Sequence, residues 1–194
     1  VNLPYVLLVH GLDGSGPGHW QNWLAGELAS RGGQVEIPRF TDPDRPELHT
    51  WLTELREHLA AAPAEGHRVV ITHSLGALLW LHHCARQPDP ALRVDRVLLV
   101  APPASDVAEP RVRSFLPPPL DPAGLRRAAG GTRLVTGTGD PYCTDQAAAA
   151  YAAALGVEHD VIPGGAHLNI DAGYGPWPAV LSWARTGHTP LVGR

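Results

Sequence analysis

The sequence has no lysine: all fifteen basic residues are arginine, against nineteen acidic ones, for a net charge of −4. Without a clustered basic face nothing can neutralise a phosphate backbone, which excludes nucleic acid as a partner. Missing lysine beside abundant alanine, glycine, proline and arginine reads as a GC-rich genome, so arginine in place of lysine carries no functional signal. The two cysteines, Cys84 and Cys143, are too few for a disulfide framework and lie in no CxxC spacing. No apolar run approaches the ~18–20 residues of a bilayer span, so no membrane partner is expected. A strand-like segment opens the chain with no basic leader ahead of it, and a reduced, cytoplasmic setting is the default expectation.

What is present is a globular composition, 44% hydrophobic and 18% charged over 194 residues. That length suits one domain, residues 1–194, able to bury a core without disulfides or metal. Tyr5–Val9, Arg68–Thr72, Val94–Val100 and Thr132–Thr136 are short apolar, β-branched runs of the kind buried on both faces of a sheet. Gln34–Ile37 and Glu158–Ile162 are weaker candidates. Leu48, Trp51, Leu52, Leu55 and Leu59 share one helical face, with Glu47, Glu54, Arg56 and Glu57 opposite. Leu75–Arg86 is apolar nearly all round, as in a buried helix. Thr144–Leu155 has Thr144 as N-cap and Gly156 as its stop, and Trp177–Arg185 closes the series. Strands alternating with helices predict an α/β fold with a mostly parallel sheet flanked on both faces. Pro102–Pro122 is the irregular stretch, either a cover for a site or a plain connection.

Chemistry concentrates at Thr72-His-Ser-Leu-Gly-Ala77, the junction of the Arg68–Thr72 strand with the helix behind it. A serine on a tight strand-to-helix turn is strained so that its hydroxyl stands above the sheet edge, and its flanks must be small. Gly76 and Ala77 meet that demand, whereas Thr72 replaces the first glycine of G-x-S-x-G and crowds the turn. The competing reading makes Ser74 a simple helix N-cap. A serine nucleophile needs an imidazole base oriented by a carboxylate. In hydrolases built on such a turn the chain order is Ser, acid, His, acid and base each following a later strand. Asp140 and His167 satisfy it, with Asp171 in reserve as the acid. The oxyanion donors would be the backbone N–H groups of Leu12, after the first strand, and Leu75, after the serine. Gly11–Gly18 also reads as a plain flexible loop, and it lacks the spacing of a phosphate cradle. His10, His19 and His73 are candidates for the cleft mouth, and His10, Trp20, Phe115 and Tyr142 for the pocket wall. No His spacing supports a metal site.

Six segments in order carry a resemblance: Leu8-Val-His-Gly-Leu-Asp-Gly-Ser15, His19-Trp-Gln-Asn-Trp23, His73-Ser-Leu-Gly-Ala77, Gly139-Asp-Pro-Tyr-Cys143, Gly165-Ala-His-Leu-Asn169 and Gly175-Pro-Trp-Pro178. Together, over roughly residues 5–185, they resemble the small YdeN-like serine hydrolases typified by retinoblastoma-binding protein nine. The resemblance implies a compact single-domain α/β-hydrolase fold with minimal or no lid, no cofactor, and a triad of Ser74, Asp140 and His167. The implied activity is cleavage of a small carboxylic ester, thioester or amide through an acyl-enzyme, with a small-molecule acyl substrate as partner. Some members of such families are discussed as binding partners of other proteins, so a hydrolase scaffold used as a protein-binding module is the alternative. Because only Pro102–Pro122 and the Leu12–Trp20 loop are available to shape a pocket, short acyl groups are expected to be preferred.

Overall fold

The computed structural model describes residues 3–194; Val1 and Asn2, the first two residues of the expected 1–194 domain, lie outside the described residues. Six strands form one parallel sheet: β1 (Tyr5–Val9), β2 (Val35–Glu36), β3 (Arg68–His73), β4 (Val94–Val100), β5 (Ala129–Gly137) and β6 (Glu158–Ile162). Their spatial order is β2-β1-β3-β4-β5-β6. The chain first steps from β1 outward to β2, then reverses and runs steadily across the sheet.

That reversal distributes the helices. Because parallel crossovers keep one hand, a change of direction moves the connecting helix to the other face. α1 (Trp20–Ser30) connects β1 to β2 and packs on one face, joined there by the last helix, α6 (Pro178–Thr186). α2 (Leu48–Ala61), α3 (Leu75–Ala85), α4 (Pro122–Ala128) and α5 (Asp145–Leu155) all serve the opposite direction and cover the other face. Strand side chains alternate between the two cores: Tyr5, Leu7 and Val9 face α2 and α3, whereas Val6 and Leu8 face α1 and α6. Both faces being covered is why the inner strands read as unbroken apolar runs.

The expected elements are present with small shifts. Gln34–Ile37 contracts to the two residues of β2, and Thr132–Thr136 lengthens to Ala129–Gly137. Thr144 does cap α5, its hydroxyl accepting from the Ala147 N–H at 3.1 Å, and Gly156 ends it in the left-handed region. The irregular Pro102–Pro122 stretch holds a 3-10 turn over Pro110–Phe115 and leads directly into α4. Among the described residues no helix is long and apolar enough to cross a membrane.

Candidate active site

Ser74 sits where β3 turns into α3, with φ 53° and ψ −119°, a conformation that costs an L-residue strain. It occupies the N-cap position, yet its side chain makes no capping bond. The backbone is held instead by the Ser74 N–H donating to the Val100 carbonyl at 2.8 Å and by the Ala77 N–H donating to the Ser74 carbonyl at 2.9 Å. Smallness is enforced on both sides. A Cβ on Gly76 would lie 2.7 Å from the carbonyl oxygens of Val9 and His10, and one on Gly11 would lie 2.9 Å from the Ser74 Cβ. Thr72 fits because it is buried within β3, its hydroxyl donating to the Leu98 carbonyl on β4 at 3.2 Å.

Asp140 follows β5 and His167 follows β6, both buried. The Asp140 Oδ2 faces the His167 Nδ1 at 2.8 Å, and the His167 Nε2 faces the Ser74 Oγ at 2.9 Å. A carboxylate only accepts, so Nδ1 carries the ring proton and Nε2 is left as the acceptor toward the hydroxyl. Asp140 is itself fixed, its Oδ1 accepting from the Tyr142 N–H at 2.8 Å. Asp145, the first residue of α5, accepts from the Gly139 N–H at 3.3 Å and braces the same loop. The His167 loop is strained on either side, with Ala166 at φ 46° and Leu168 at φ 49°. It is pinned by three contacts: the Ala166 N–H to the Thr138 carbonyl (3.1 Å), the Trp20 Nε1 to the Leu168 carbonyl (2.9 Å), and the His73 Nε2 to the His167 carbonyl (3.0 Å). Asp171 reaches the rim of the cavity beside this relay, while the Nδ1 it would need is occupied by Asp140.

A cavity of about 310 Å³ opens over Ser74. Leu12 and Leu75 both line it. Leu75 starts α3, so its N–H is one of the donors a helix leaves free in its first turn. The neighbouring donors are committed, Asp13 N–H to the Pro43 carbonyl (2.7 Å) and Gly14 N–H to the Gly11 carbonyl (3.2 Å). Among the described residues neither the Leu12 nor the Leu75 N–H has a protein acceptor. The glycine-rich loop is not slack: the Asn22 Nδ2 binds the Ser15 and Gly16 carbonyls at 2.8 and 2.7 Å, and the buried Gln21 bonds Val9 and Ser15.

Three of the four expected pocket residues face elsewhere. His10 is enclosed between the Phe40 and Trp51 rings, its Nδ1–H donating to the Gly11 carbonyl (2.7 Å) and its Nε2 accepting from the Phe40 N–H (2.9 Å). Burial pushes its pKa down, so it is a neutral brace between two loops. Trp20 is fully buried under α6, edge-on to Trp177. Phe115 is fully buried against Trp51. Tyr142 does line the cavity, 45% exposed, with its ring 4.6 Å from the His167 imidazole. The far wall, which sequence reasoning missed, comes from Pro103, Val107 and Val112 of the irregular stretch together with Ile170. Val112 and Phe115 lie three apart in the 3-10 turn, yet only Val112 lines the cavity, while Phe115 packs on Trp51. At the rim Arg111 pairs with Asp13 and Glu109, both at 3.1 Å. Among the described residues no group of three His, Cys, Asp or Glu is placed to hold a metal.

A parallel sheet flanked by helices, a serine on a strained strand-to-helix turn, and Asp and His delivered in that order from later strands define the class as an α/β-hydrolase. The chain belongs to the serine hydrolase family, whose model matches residues 6–185. Its fold is similar to that of the ydeN gene product of B. subtilis (TM-score 0.79, 21% identity, 92% of this chain and 95% of that one). It is also similar to a putative YdeN-like hydrolase of Pectobacterium atrosepticum (TM-score 0.73, 26% identity, 94% and 89%). The thioesterase domain of the curacin biosynthetic pathway shares the fold at greater distance (TM-score 0.67, 16% identity, 94% and 90%). No curated protein matches the sequence.

Proposed function

We propose that this serine hydrolase cleaves small carboxylic esters, thioesters or amides through an acyl-Ser74 intermediate. The supporting observation is the unbroken relay from the Ser74 hydroxyl through His167 to Asp140, at 2.9 and 2.8 Å. The Ser74 Oγ attacks the carbonyl carbon while the His167 Nε2 takes its proton. The tetrahedral oxyanion is held by the Leu12 and Leu75 N–H groups, each donor contributing about 2.7–4 kcal/mol. Collapse expels the alcohol, thiol or amine, which receives that proton from His167. Water, deprotonated by the same nitrogen, then attacks the acyl carbon. The acid departs and Ser74 regains its proton. Throughout, Asp140 holds the ring in one tautomer and stabilises its cationic form.

A cavity of about 310 Å³ sits at the lower end of the ~300–1,000 Å³ typical of ligand sites, which supports short acyl groups. The test is a panel of p-nitrophenyl esters, thioesters and anilides of rising acyl length, run on wild type and Ser74→Ala. Turnover of acetyl or butanoyl members that vanishes in Ser74→Ala is expected. Turnover that survives the substitution contradicts the proposal, and a dodecanoyl ester outpacing acetyl contradicts the size preference.

A further inference from the structure

The wall of the cavity contains three buried histidines: His19, His73 and His167. His167 is engaged with Ser74 and Asp140, and the His73 Nε2 is spent on the His167 carbonyl. His19 is different. It caps α1, its Nδ1 accepting from the Gln21 N–H at 3.2 Å. A nitrogen that accepts carries no proton, so in the neutral ring the proton sits on Nε2. Among the described residues that Nε2 has no hydrogen-bond partner. Nor is it sealed in the core as the two ring nitrogens of His83 are. The residue is 5% exposed, its ring packed against Trp20 and His73 at centroid distances of 5.4 and 4.9 Å, and the cavity is the space it borders.

We propose that His19 is a substrate-binding residue whose Nε2–H donates a hydrogen bond to a second oxygen of the substrate, two or three atoms beyond the scissile carbonyl in the acyl group. This rests on the reading of Ser74 as nucleophile and adds a substrate class to it: alkoxy- or hydroxyacyl compounds in preference to plain alkanoyl ones. Position sets the reach. The His19 and His167 rings both pack against His73, their centroids 4.9 and 5.1 Å from its own, so His19 borders the cavity at a remove from the reacting carbonyl, and the proposal gives it the acyl group's further atoms. Charge state suits the role. Burial, reinforced by the nearby His167, pushes the His19 pKa down to about 4, and the positive end of α1 opposes protonation as well. The ring is therefore a neutral donor at pH 7, as catalytic imidazoles held at helix N-termini are elsewhere. A buried donor with no protein acceptor among the described residues discriminates, because an alkanoyl chain laid against it returns no bond.

The experiment compares p-nitrophenyl methoxyacetate with p-nitrophenyl butanoate, which match in length and differ by one ether oxygen. Their kcat/KM ratio is normalised to hydroxide-catalysed hydrolysis. His19→Ser keeps an acceptor for the α1 cap, and its side chain, which ends at Oγ, leaves no N–H where the His19 Nε2 stood. The normalised preference for methoxyacetate is expected to fall about tenfold in the variant, the effect of one lost hydrogen bond. An equal loss on both esters, or an unchanged ratio, overturns the proposal and leaves His19 as a cap. Fluorophosphonate labelling of Ser74 separates the two readings. If wild type is not labelled, the proposed function fails, and the donor is then read by ¹⁵N NMR of the wild-type histidine rings titrated with methoxyacetamide and butanamide. A His19 Nε2–H signal that moves with the first and not the second supports the donor. A proton on Nδ1, or no difference between the amides, overturns it.

Discussion

Ser74 carries backbone strain, and that strain costs stability. At φ 53° and ψ −119° a Cβ is unfavourable, so Ser74→Gly is expected to raise the melting temperature above that of Ser74→Ala, reflecting relief of about 1–3 kcal/mol. A Ser74→Gly melting temperature below that of Ser74→Ala by calorimetry would show that the turn is unstrained, since the backbone entropy of glycine would then act alone. The acid is tested by charge alone. Asp140→Asn should lower kcat by about 10⁴-fold, as loss of the tautomer-holding carboxylate does in related relays, whereas Asp171→Asn should change it little. The reverse ranking in steady-state kinetics would move the acid to Asp171. At this scale much of the candidate site was legible. The order Ser, Asp, His after successive strands singles out three side chains that the fold brings within hydrogen-bond reach. The pocket was not, because residue type does not say which way a side chain faces. His10 looked like a cleft residue, yet both its ring nitrogens are consumed by backbone groups. Phe115 came from the right stretch but from the position below Val112.

At the scale of elements, the site depends on backbone approaching backbone. β5 ends at Gly137, where a Cβ would lie 2.4 Å from the Ala166 carbonyl oxygen and from the Gly165 carbonyl carbon. No flexible side chain can give way there. Gly137→Ala should therefore push the His167 loop off β5 and part the 2.9 Å contact with Ser74, lowering kcat by more than 10²-fold, with KM little changed. Activity within threefold of wild type in a folded variant would contradict this account of the loop. The strands and most helices were readable because burial on both faces writes an apolar run, and burial on one face writes a 3.6-residue period. α1 escaped notice because its cap is a histidine ring nitrogen where Ser, Thr, Asp or Asn is the usual sign, and because glycine-rich segments flank it. α4 has only seven residues, too few for a period to show.

Across the whole molecule, neutral buried histidines tie stability to pH. Burial pushes His19 and His83 down to about 4 and lowers His10, His73, His82 and His159 as well. Folded pKa values below the ordinary 6.5 mean that between about pH 4 and 6.5 the unfolded chain binds more protons than the folded one. The stability these groups allow is complete above pH 6.5 and is lost as the pH falls toward 4. The melting temperature should thus drop by several degrees between pH 7.5 and 5. His83, on α3 with both ring nitrogens buried and unpartnered, is the clearest contributor. His83→Leu should raise the melting temperature at pH 7.5 by a few degrees and shrink the acid loss. A wild-type maximum near pH 5 would reverse the sign and refute the linkage.

These levels meet at one hydroxyl, since topology sets three loops at one sheet edge, glycines let them touch, and the resulting contacts would make Ser74 reactive. Mass spectrometry of the folded protein after reaction with a fluorophosphonate tests that claim most directly. One adduct on the Ser74 peptide is expected, absent in Ser74→Ala and formed far more slowly in His167→Ala. A folded wild-type protein that stays unlabelled, or is labelled at another residue, would contradict the account.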